Sequence, residues 1–107
     1  MSDLMTDLAP ALSLAMVAGV EDKSDVVFDR VEVVFKSGAR LSVIRGANTY
    51  GGDKGLCEVA PVWDGCLYGK LLGWSKDSEG WMSVSDVSRC IKKLGELSLG
   101  EIKAILL

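Results

Sequence analysis

The clearest pattern in the chain is an alternation of apolar and polar side chains in its second quarter, interrupted once by a glycine turn. A period of two is typical of β-strands that bury one face. A three-residue turn with Gly38 in the left-handed conformation places Val33 opposite Leu41. It also places Val31 opposite Val43, so one face of the strand pair stays apolar. The pattern therefore predicts a β-hairpin with a type I turn and a bulge at Gly38.

Shorter apolar segments follow this hairpin along the chain. Residues 56–62 are predicted to form a third strand, which ends where Pro61 removes a backbone donor. Residues 66–74 have room for a fourth and shorter strand, and residues 77–80 are predicted to form a turn. A sheet of three to four strands is therefore expected.

The N-terminal region has the periodicity of a helix. Its apolar residues recur at steps of three or four, which lines one helical face. Pro10 fits such a helix only in the first turn, where its missing N–H is not needed. The helix is therefore predicted to begin near Leu8 and to end at Gly19, with residues 20–25 as an acidic loop.

The C-terminal region carries two helix-capping patterns. Ser83 and Asp86 have the spacing of a capping box, and the apolar stripe after them ends at Gly95. Ser98 and Glu101 repeat that spacing and begin a last short helix. A helix of about ten residues or fewer is unstable alone, so this one must dock on the body or on a partner. Pairing with a second copy as a homodimer would also cover its apolar residues, which are Ile102, Ile105, Leu106 and Leu107.

These elements together predict the fold class. We expect a single α+β domain over residues 1–107, with no linker or internal repeat. Its antiparallel sheet would have three to four strands, with the N-terminal helix and the C-terminal helices packed on one face.

The composition excludes several kinds of chemistry. The 107 residues carry a net charge of −3 and contain no histidine. Ser-His-Asp catalysis, Cys-His catalysis, histidine-ligated zinc and a histidine pH switch are therefore excluded. A pI near 4.8 argues against direct binding of nucleic acid by phosphate neutralisation. The acidic start and the absence of a long apolar run predict a soluble, cytoplasmic protein with no membrane partner.

The three cysteines offer little chemistry of their own. Cys57, Cys66 and Cys90 make an odd number, and none of them forms a Cys-x-x-Cys pair. The spacing therefore indicates neither a disulfide framework nor a zinc ribbon. We expect three small buried apolar residues, no metal site and no cofactor.

The glycine-rich loop over residues 46–55 is the first candidate site. Gly46 and Gly51 have the glycine spacing of a phosphate-binding loop, but Gly52 and Asp53 occupy the positions of its Lys and Ser or Thr. The loop is therefore interpreted first as a turn. If it binds a ligand, the candidate residues are Tyr50, Gly51, Gly52, Asp53 and Lys54.

Aromatic and acidic residues form the second candidate site. Trp63 and Trp81 are flanked by glycine and charged residues rather than by aliphatic runs, as in protein interfaces. Residues 1–29 contain six acids against one lysine, which makes the first quarter an acidic region. The predicted partner-binding residues are Trp63, Trp81, Glu21, Asp22 and Asp25.

Four segments resemble small tailed-phage and prophage accessory proteins. They are VEVVFKSG at 31–38, SVIRG at 42–46, YGGDKGLCEVA at 50–60 and the segment 80–94. The last combines a glycine, an aromatic residue, a serine cap and a short helix. The resemblance covers roughly residues 26–95.

The resemblance implies a function as well as a setting. Such proteins are commonly non-enzymatic inhibitors that occupy a surface of a host complex, with anti-CRISPR and other anti-defence proteins among them. The expectation is therefore a protein that binds and blocks a host protein complex in the host cytoplasm. The alternative is a small-ligand or nucleotide-binding protein that sequesters its ligand with loop 46–55. A hydrolase with paired carboxylates is a third hypothesis, although nothing in the sequence fixes two acids at a common distance.

Overall fold

The chain forms three α-helices and a six-stranded antiparallel sheet in the computed structural model, which describes residues 3–46 and 55–107. The predicted α+β class with helices at both ends is confirmed, and the sheet has more strands than expected. In chain order the elements are α1 (Asp3–Leu12), β1 (Val17–Asp22), β2 (Phe28–Phe35), β3 (Arg40–Gly46), β4 (Cys57–Trp63), β5 (Cys66–Leu67), a 3₁₀ helix (Gly69–Leu72), β6 (Glu79–Met82), α2 (Val84–Gly95) and α3 (Leu99–Leu106).

The sheet is a meander with a divided last position. Strands β1 to β4 lie side by side in chain order. Beyond β4, the edge is shared by two short strands. Leu67 of β5 pairs with Val62 near the end of β4, and Met82 of β6 pairs with Cys57 at its start. Part of β4 between these two pairs lies at the edge of the sheet.

The predicted β2–β3 hairpin is confirmed in register and in turn type. Val33 lies opposite Leu41 and Val31 opposite Val43. Gly38 has a φ of +95°, and its N–H donates to the Phe35 carbonyl over 2.9 Å. Because that φ is strained for other residues, glycine fixes this turn and hence the register.

The core lies between one face of this hairpin and the helices. Val31, Val33, Leu41 and Val43 are fully buried. The helices cover them with a matching apolar set, which is Leu4 and Leu8 of α1, Val87, Ile91 and Leu94 of α2, and Ile102 of α3. Each such side chain contributes about 1.5–3 kcal/mol when fully buried.

The N-terminal helix begins and ends earlier than predicted, and the region after it is a strand. The carboxylate of Asp29 in β2 accepts from the backbone N–H of Leu4 over 3.2 Å, and so caps the helix from a distant part of the chain. Pro10 lies near the helix end instead of its first turn. Because proline has no N–H to donate, the last turn of this helix lacks one hydrogen bond, and the helix ends at Leu12. The chain then forms β1, where a helical end and an acidic loop were predicted.

Strand β4 (Cys57–Trp63) confirms the strand predicted over residues 56–62 to within one residue at each end, but Pro61 does not end it. The Pro61 carbonyl accepts from the N–H of Tyr68 over 2.9 Å, on the β5 side of the strand. Backbone N and O of one residue point to the same side of a strand, so the missing N–H does not face β3. Proline is therefore tolerated at this partly open edge.

Between β4 and α2, the strand predicted within residues 66–74 is shorter than expected, and a strand that was not predicted, β6, lies just before α2. Only Cys66–Leu67 pairs within residues 66–74, and the 3₁₀ helix follows. The predicted turn at 77–80 overlaps β6, since Glu79 pairs with Val59. Such short strands are held by tertiary pairing and have little local signal.

Both capping boxes are confirmed. The Ser83 hydroxyl accepts from the N–H of Asp86 over 3.1 Å, and Ser98 accepts from Glu101 over the same distance. Helix α2 ends at Gly95, as predicted, but for a different reason. A Cβ at Gly95 would overlap the Met16 side chain, so close packing and not a left-handed φ requires glycine there.

Helix α3 docks on the body of the protein. Ile102 is fully buried in the core, and Ile105 and Leu106 are partly buried against it. This contact satisfies the requirement that a short helix be covered. Pairing with a second copy stays a prediction.

Candidate functional site

The two faces of the sheet have different surroundings. All three helices contribute to the core on one face. The opposite face is here called the outer face, and none of the described helices packs on it. Alternation and register place a central row of Glu32, Ser42 and Ala60 there, and each of the three is about 8% exposed. The outer face is therefore the face of the sheet that the described helices leave uncovered.

In one half of the outer face, four charged side chains pair with one another. Glu32 of β2 accepts from Lys23 Nζ over 3.0 Å and from Arg40 Nη1 over 3.2 Å. Glu21 of β1 lies 3.4 Å from Lys23 and 3.1 Å from Arg40. These four residues, called the charge network below, hold two positive and two negative charges. The network is therefore neutral by itself.

Glu32 is the centre of the charge network. Burial alone would raise the pKa of its carboxyl, but hydrogen bonds and charges from Lys23 and Arg40 outweigh burial and leave the pKa lowered. The hydrogen bond to Glu32 raises the pKa of Lys23. Each partner thus favours the charged form of the other near neutral pH.

Arg30 differs from the other arginines in its ion pairing. The chain has four arginines. Arg40 belongs to the network, Arg45 pairs with Asp7 over 2.9 Å, and Arg89 pairs with Asp86. Arg30 has no carboxylate partner among residues 3–46 and 55–107, and its Nε is buried without an acceptor. A buried donor left in this state costs about 1–3 kcal/mol.

Arg30 lies at one end of a groove across the other half of the outer face. A cavity of about 150 Å³ there adjoins a second of about 380 Å³, and the two share Glu58 and Ser78. We call the two together the outer groove. Its side chains come from β2 to β6 and the segment before β6, and are Arg30, Ser42, Ile44, Glu58, Ala60, Leu67, Lys76, Ser78, Glu79 and Trp81.

The charges of the outer groove are not neutralised by pairing. Glu58, Lys76 and Glu79 form no ion pair or side-chain hydrogen bond within the described ranges, and neither does the Arg30 guanidinium. Ile44 and the exposed Leu67 supply apolar surface beside them. Charges that form no intramolecular pair are open to interaction with a partner of complementary charge.

Trp81 lies at the other end of the outer groove in an unusual backbone conformation. Its φ is +59°, and 55% of the residue is exposed. A bulky residue at positive φ is a genuine outlier, and such strain costs on the order of 1–2 kcal/mol. Strain of this kind concentrates at functional sites, where it serves to present a side chain.

Trp63, the other predicted interface tryptophan, has different surroundings. It is partly buried against the core, and its ring is the nearest group to Gly38 of the β2–β3 turn. Trp63 does not line either cavity of the outer groove. The structure therefore places the two predicted tryptophans in separate environments.

The predicted acidic residues lie around the β1–β2 turn. Glu21 belongs to the charge network, and an Asp22 oxygen accepts from the N–H of Ser24 over 3.0 Å. Asp25 accepts from the N–H groups of Val27 and Phe28 over 2.8 and 3.1 Å. The hydrogen bonds from Phe28 and Val27 lower the pKa of Asp25. These three acids order the turn, and they do not line the outer groove.

The predicted ligand loop lies largely outside the described residues. That applies to Tyr50, Gly51, Gly52, Asp53 and Lys54. Gly46 and Gly55, on either side of it, line an open depression of about 290 Å³ with Asp3, Asp25, Asp29 and Arg45. Three carboxylates against one arginine that is already paired do not favour a phosphate there.

Two of the three cysteines lie where burial disfavours the thiolate. Burial raises the pKa of Cys57 and of Cys90, which disfavours the nucleophilic thiolate. Cys66 is exposed, so its predicted burial is wrong, because β5 is a two-residue edge strand. In the part of the chain that the structure describes, no three cysteine or acidic residues are grouped as metal ligands would be.

Comparisons with family models, curated proteins and solved structures gave no match. The resemblance to phage accessory proteins therefore stays a prediction. Within the described ranges, every helix is too short or too polar to cross a membrane.

Sequence reasoning did not find most of the outer groove. The alternation in β2 and β3 places Arg30 next to Ile44 once the register is known, so these two residues had a usable signal. Glu58, Leu67 and Ser78 had none, because their positions depend on how β5 and β6 divide the edge of β4.

Proposed function

We propose that this chain is a non-enzymatic binding protein that uses the outer groove and Trp81 to occupy a surface of a partner protein. The observation that carries the proposal is the strained and exposed Trp81 beside a groove whose charges form no ion pair with any other described residue. Tryptophan and arginine are the residues most enriched among those that dominate protein interfaces. The outer groove has one of each, at opposite ends.

The surroundings of the candidate nucleophiles support a binding role over catalysis. Catalysis by a thiol needs an activating neighbour. The chain has no histidine, and the described Cys57 and Cys90 have raised pKa values. Binding by surface complementarity requires none of these groups.

The proposed mode of action is steric occlusion of a host complex. The resemblance to phage accessory proteins, with anti-CRISPR and other anti-defence inhibitors among them, is the support for proposing a partner among bacterial host complexes. A small domain blocks such a complex by covering a functional surface, for which binding alone suffices.

Affinity capture from bacterial lysate, compared between the wild-type chain and Trp81→Ala, tests this function. We expect wild type to retain a defined host protein, and Trp81→Ala to retain at least tenfold less of it, which corresponds to about 1.4 kcal/mol. Leu99→Ala is the matched control, since Leu99 is also a large exposed apolar residue but lies in α3, outside the groove. Equal retention by wild type and Trp81→Ala would contradict the use of this site.

A further inference from the structure

We infer that the outer groove binds an extended segment of the partner that places an Asp or Glu carboxylate on Arg30 and an apolar side chain on Ile44 and Leu67. This inference rests on the proposed function and names the chemistry of the partner. The four arginines of the chain differ in their carboxylate partners. Arg40, Arg45 and Arg89 each have a carboxylate within the chain, while Arg30 has none among the described residues.

The position of Arg30 determines which end of the groove takes the acid. Arg30 lies opposite Ile44, and Ile44 lies opposite Glu58 on the next strand. Arg30 and Glu58 are thus two strands apart, with an apolar residue between them. A partner carboxylate would accept from the terminal nitrogens of the Arg30 guanidinium, because Arg30 lines the cavity while its Nε is closed to solvent.

The same geometry predicts an apolar residue beside the acid. Ile44 forms the floor next to Arg30, and Leu67, which is 48% exposed, forms the far wall. A cavity of about 150 Å³ is smaller than the roughly 300–1,000 Å³ of ordinary small-molecule sites. It has room for single side chains from an extended segment.

The charges favour a carboxylate over a phosphate. Glu58 and Glu79 also line the outer groove, and a phosphate carries close to two negative charges near neutral pH. Arg30 and Lys76 are balanced by Glu58 and Glu79, so the outer groove has no net positive charge to offset the two charges of a phosphate. A partner carboxylate carries one charge, and basic or N–H groups elsewhere in the segment can interact with Glu58.

A displayed library of random heptapeptides is the direct test, with the wild-type chain as bait. We expect the selected peptides to share one Asp or Glu at a fixed distance from an aliphatic or aromatic residue. A selected peptide is then measured against its Asp→Asn or Glu→Gln form by fluorescence polarisation. The loss expected for the neutral peptide is roughly tenfold or more, because the hydrogen bond is to a charged group.

Two substitutions identify the site. Arg30→Gln should weaken the acidic peptide roughly tenfold, and it should abolish the preference for the acidic over the neutral peptide. Arg89→Gln is the matched control, since Arg89 is an exposed arginine on α2 outside the groove. Far-ultraviolet circular dichroism and urea midpoints should show that both variants are folded.

The outcomes distinguish this inference from the proposed function. Selected peptides without an acidic residue, or equal binding by Arg30→Gln, would overturn the inference. If those peptides still lost affinity with Trp81→Ala, the proposed function would stand with a different partner chemistry. If no peptide were selected and no host protein captured, both would fail.

Discussion

The two halves of the outer face contain the same kinds of residue but use them differently. In the half next to β1, Glu32 is nearly buried and is held by Lys23 and Arg40. In the half next to β4, Glu58 and Arg30 are separated by Ile44 and do not pair. Charges that interact within the chain stabilise the fold, whereas charges without such a pair among the described residues are open to the partner that we propose.

The difference arises from the positions of neighbouring strands. Glu21 of β1 lies opposite Glu32, and this like-charge pair is stable because two cations lie beside it. The acid that β4 contributes, Glu58, lies two strands from Arg30 and forms no ion pair with it. The following predictions test how far the halves differ, from the largest expected effect to the smallest.

Gly69→Ala should cause the largest loss of stability, and it acts beside the half of the outer face that contains the outer groove. A Cβ at Gly69 would overlap the carbonyl oxygen of Lys76, and backbone cannot move aside as a flexible side chain can. We expect a loss of about 3 kcal/mol in the free energy of unfolding, measured by urea denaturation. Binding should also weaken, because Lys76 lines the outer groove.

Gly19→Ala in β1 is the control for that change. A Cβ there meets nothing within 4 Å. Its free energy of unfolding should stay within about 0.5 kcal/mol of wild type. Equal stability of Gly69→Ala and Gly19→Ala would mean that the approach of the 3₁₀ helix to Lys76 is not rigid.

Glu32→Gln tests the network half. The amide cannot hold Lys23 and Arg40 as the carboxylate does, so we expect a loss of about 1–2 kcal/mol near neutral pH by urea denaturation. Glu58→Gln should cost less, since Glu58 has no described partner. A larger loss with Glu58→Gln would reverse the assignment of the two halves.

The loss of stability caused by Glu32→Gln should depend on pH. The pKa of Glu32 is lowered in the folded protein, so its contribution is present above the unfolded pKa, near 4.3, and is lost as pH falls through the lower folded value. The stability gap between wild type and Glu32→Gln should therefore narrow as the pH falls below about 4. A gap of constant size would indicate that charge is not the cause.

Arg40→Gln and Arg30→Gln should have different effects on the urea midpoint. Arg40→Gln removes a partner of both Glu21 and Glu32 and should lower the urea midpoint, less so at high salt. Arg30→Gln removes an unpaired charge and should leave the midpoint unchanged or raise it. A drop for Arg30→Gln as large as for Arg40→Gln would indicate an intramolecular partner for Arg30.

The smallest effect concerns two thiols on neighbouring strands near the edge of the sheet, Cys57 in β4 and Cys66 in β5. Cys66→Ser should change the free energy of unfolding by less than about 0.5 kcal/mol, because Cys66 is exposed in β5. In the native protein, iodoacetamide should modify Cys66 while Cys57 remains protected by burial and a raised pKa. Mass spectrometry of the labelled peptides checks this. Rapid native labelling of Cys57 would mean that β4 opens separately from the network half.

Local signals predicted the parts of this fold that local interactions determine. Gly38 and the alternation around it predicted the β2–β3 register, and the two Ser-x-x-acid spacings predicted the helix starts. The first helix was misplaced because its cap, Asp29, lies 25 residues beyond Leu4. The extra strands β1 and β6 have no pattern of their own.

The outer groove was mostly beyond sequence reasoning for a related reason. Trp81 was predicted as an interface residue from its flanking residues, and the structure places it at the groove. Arg30 looked like any polar residue of an alternating strand. Its lack of a carboxylate partner becomes visible only when the surroundings of all four arginines can be compared.

The three tryptophans differ in exposure, so their intrinsic fluorescence can report on the outer groove. Trp63 and Trp74 are partly buried against the core, whereas Trp81 is mostly exposed at the groove. A water-soluble quencher such as acrylamide should therefore reach the Trp81 indole first and dim the red-shifted part of the emission. A bound segment would shield that indole, so occupancy of the groove can be followed by intrinsic fluorescence without any label.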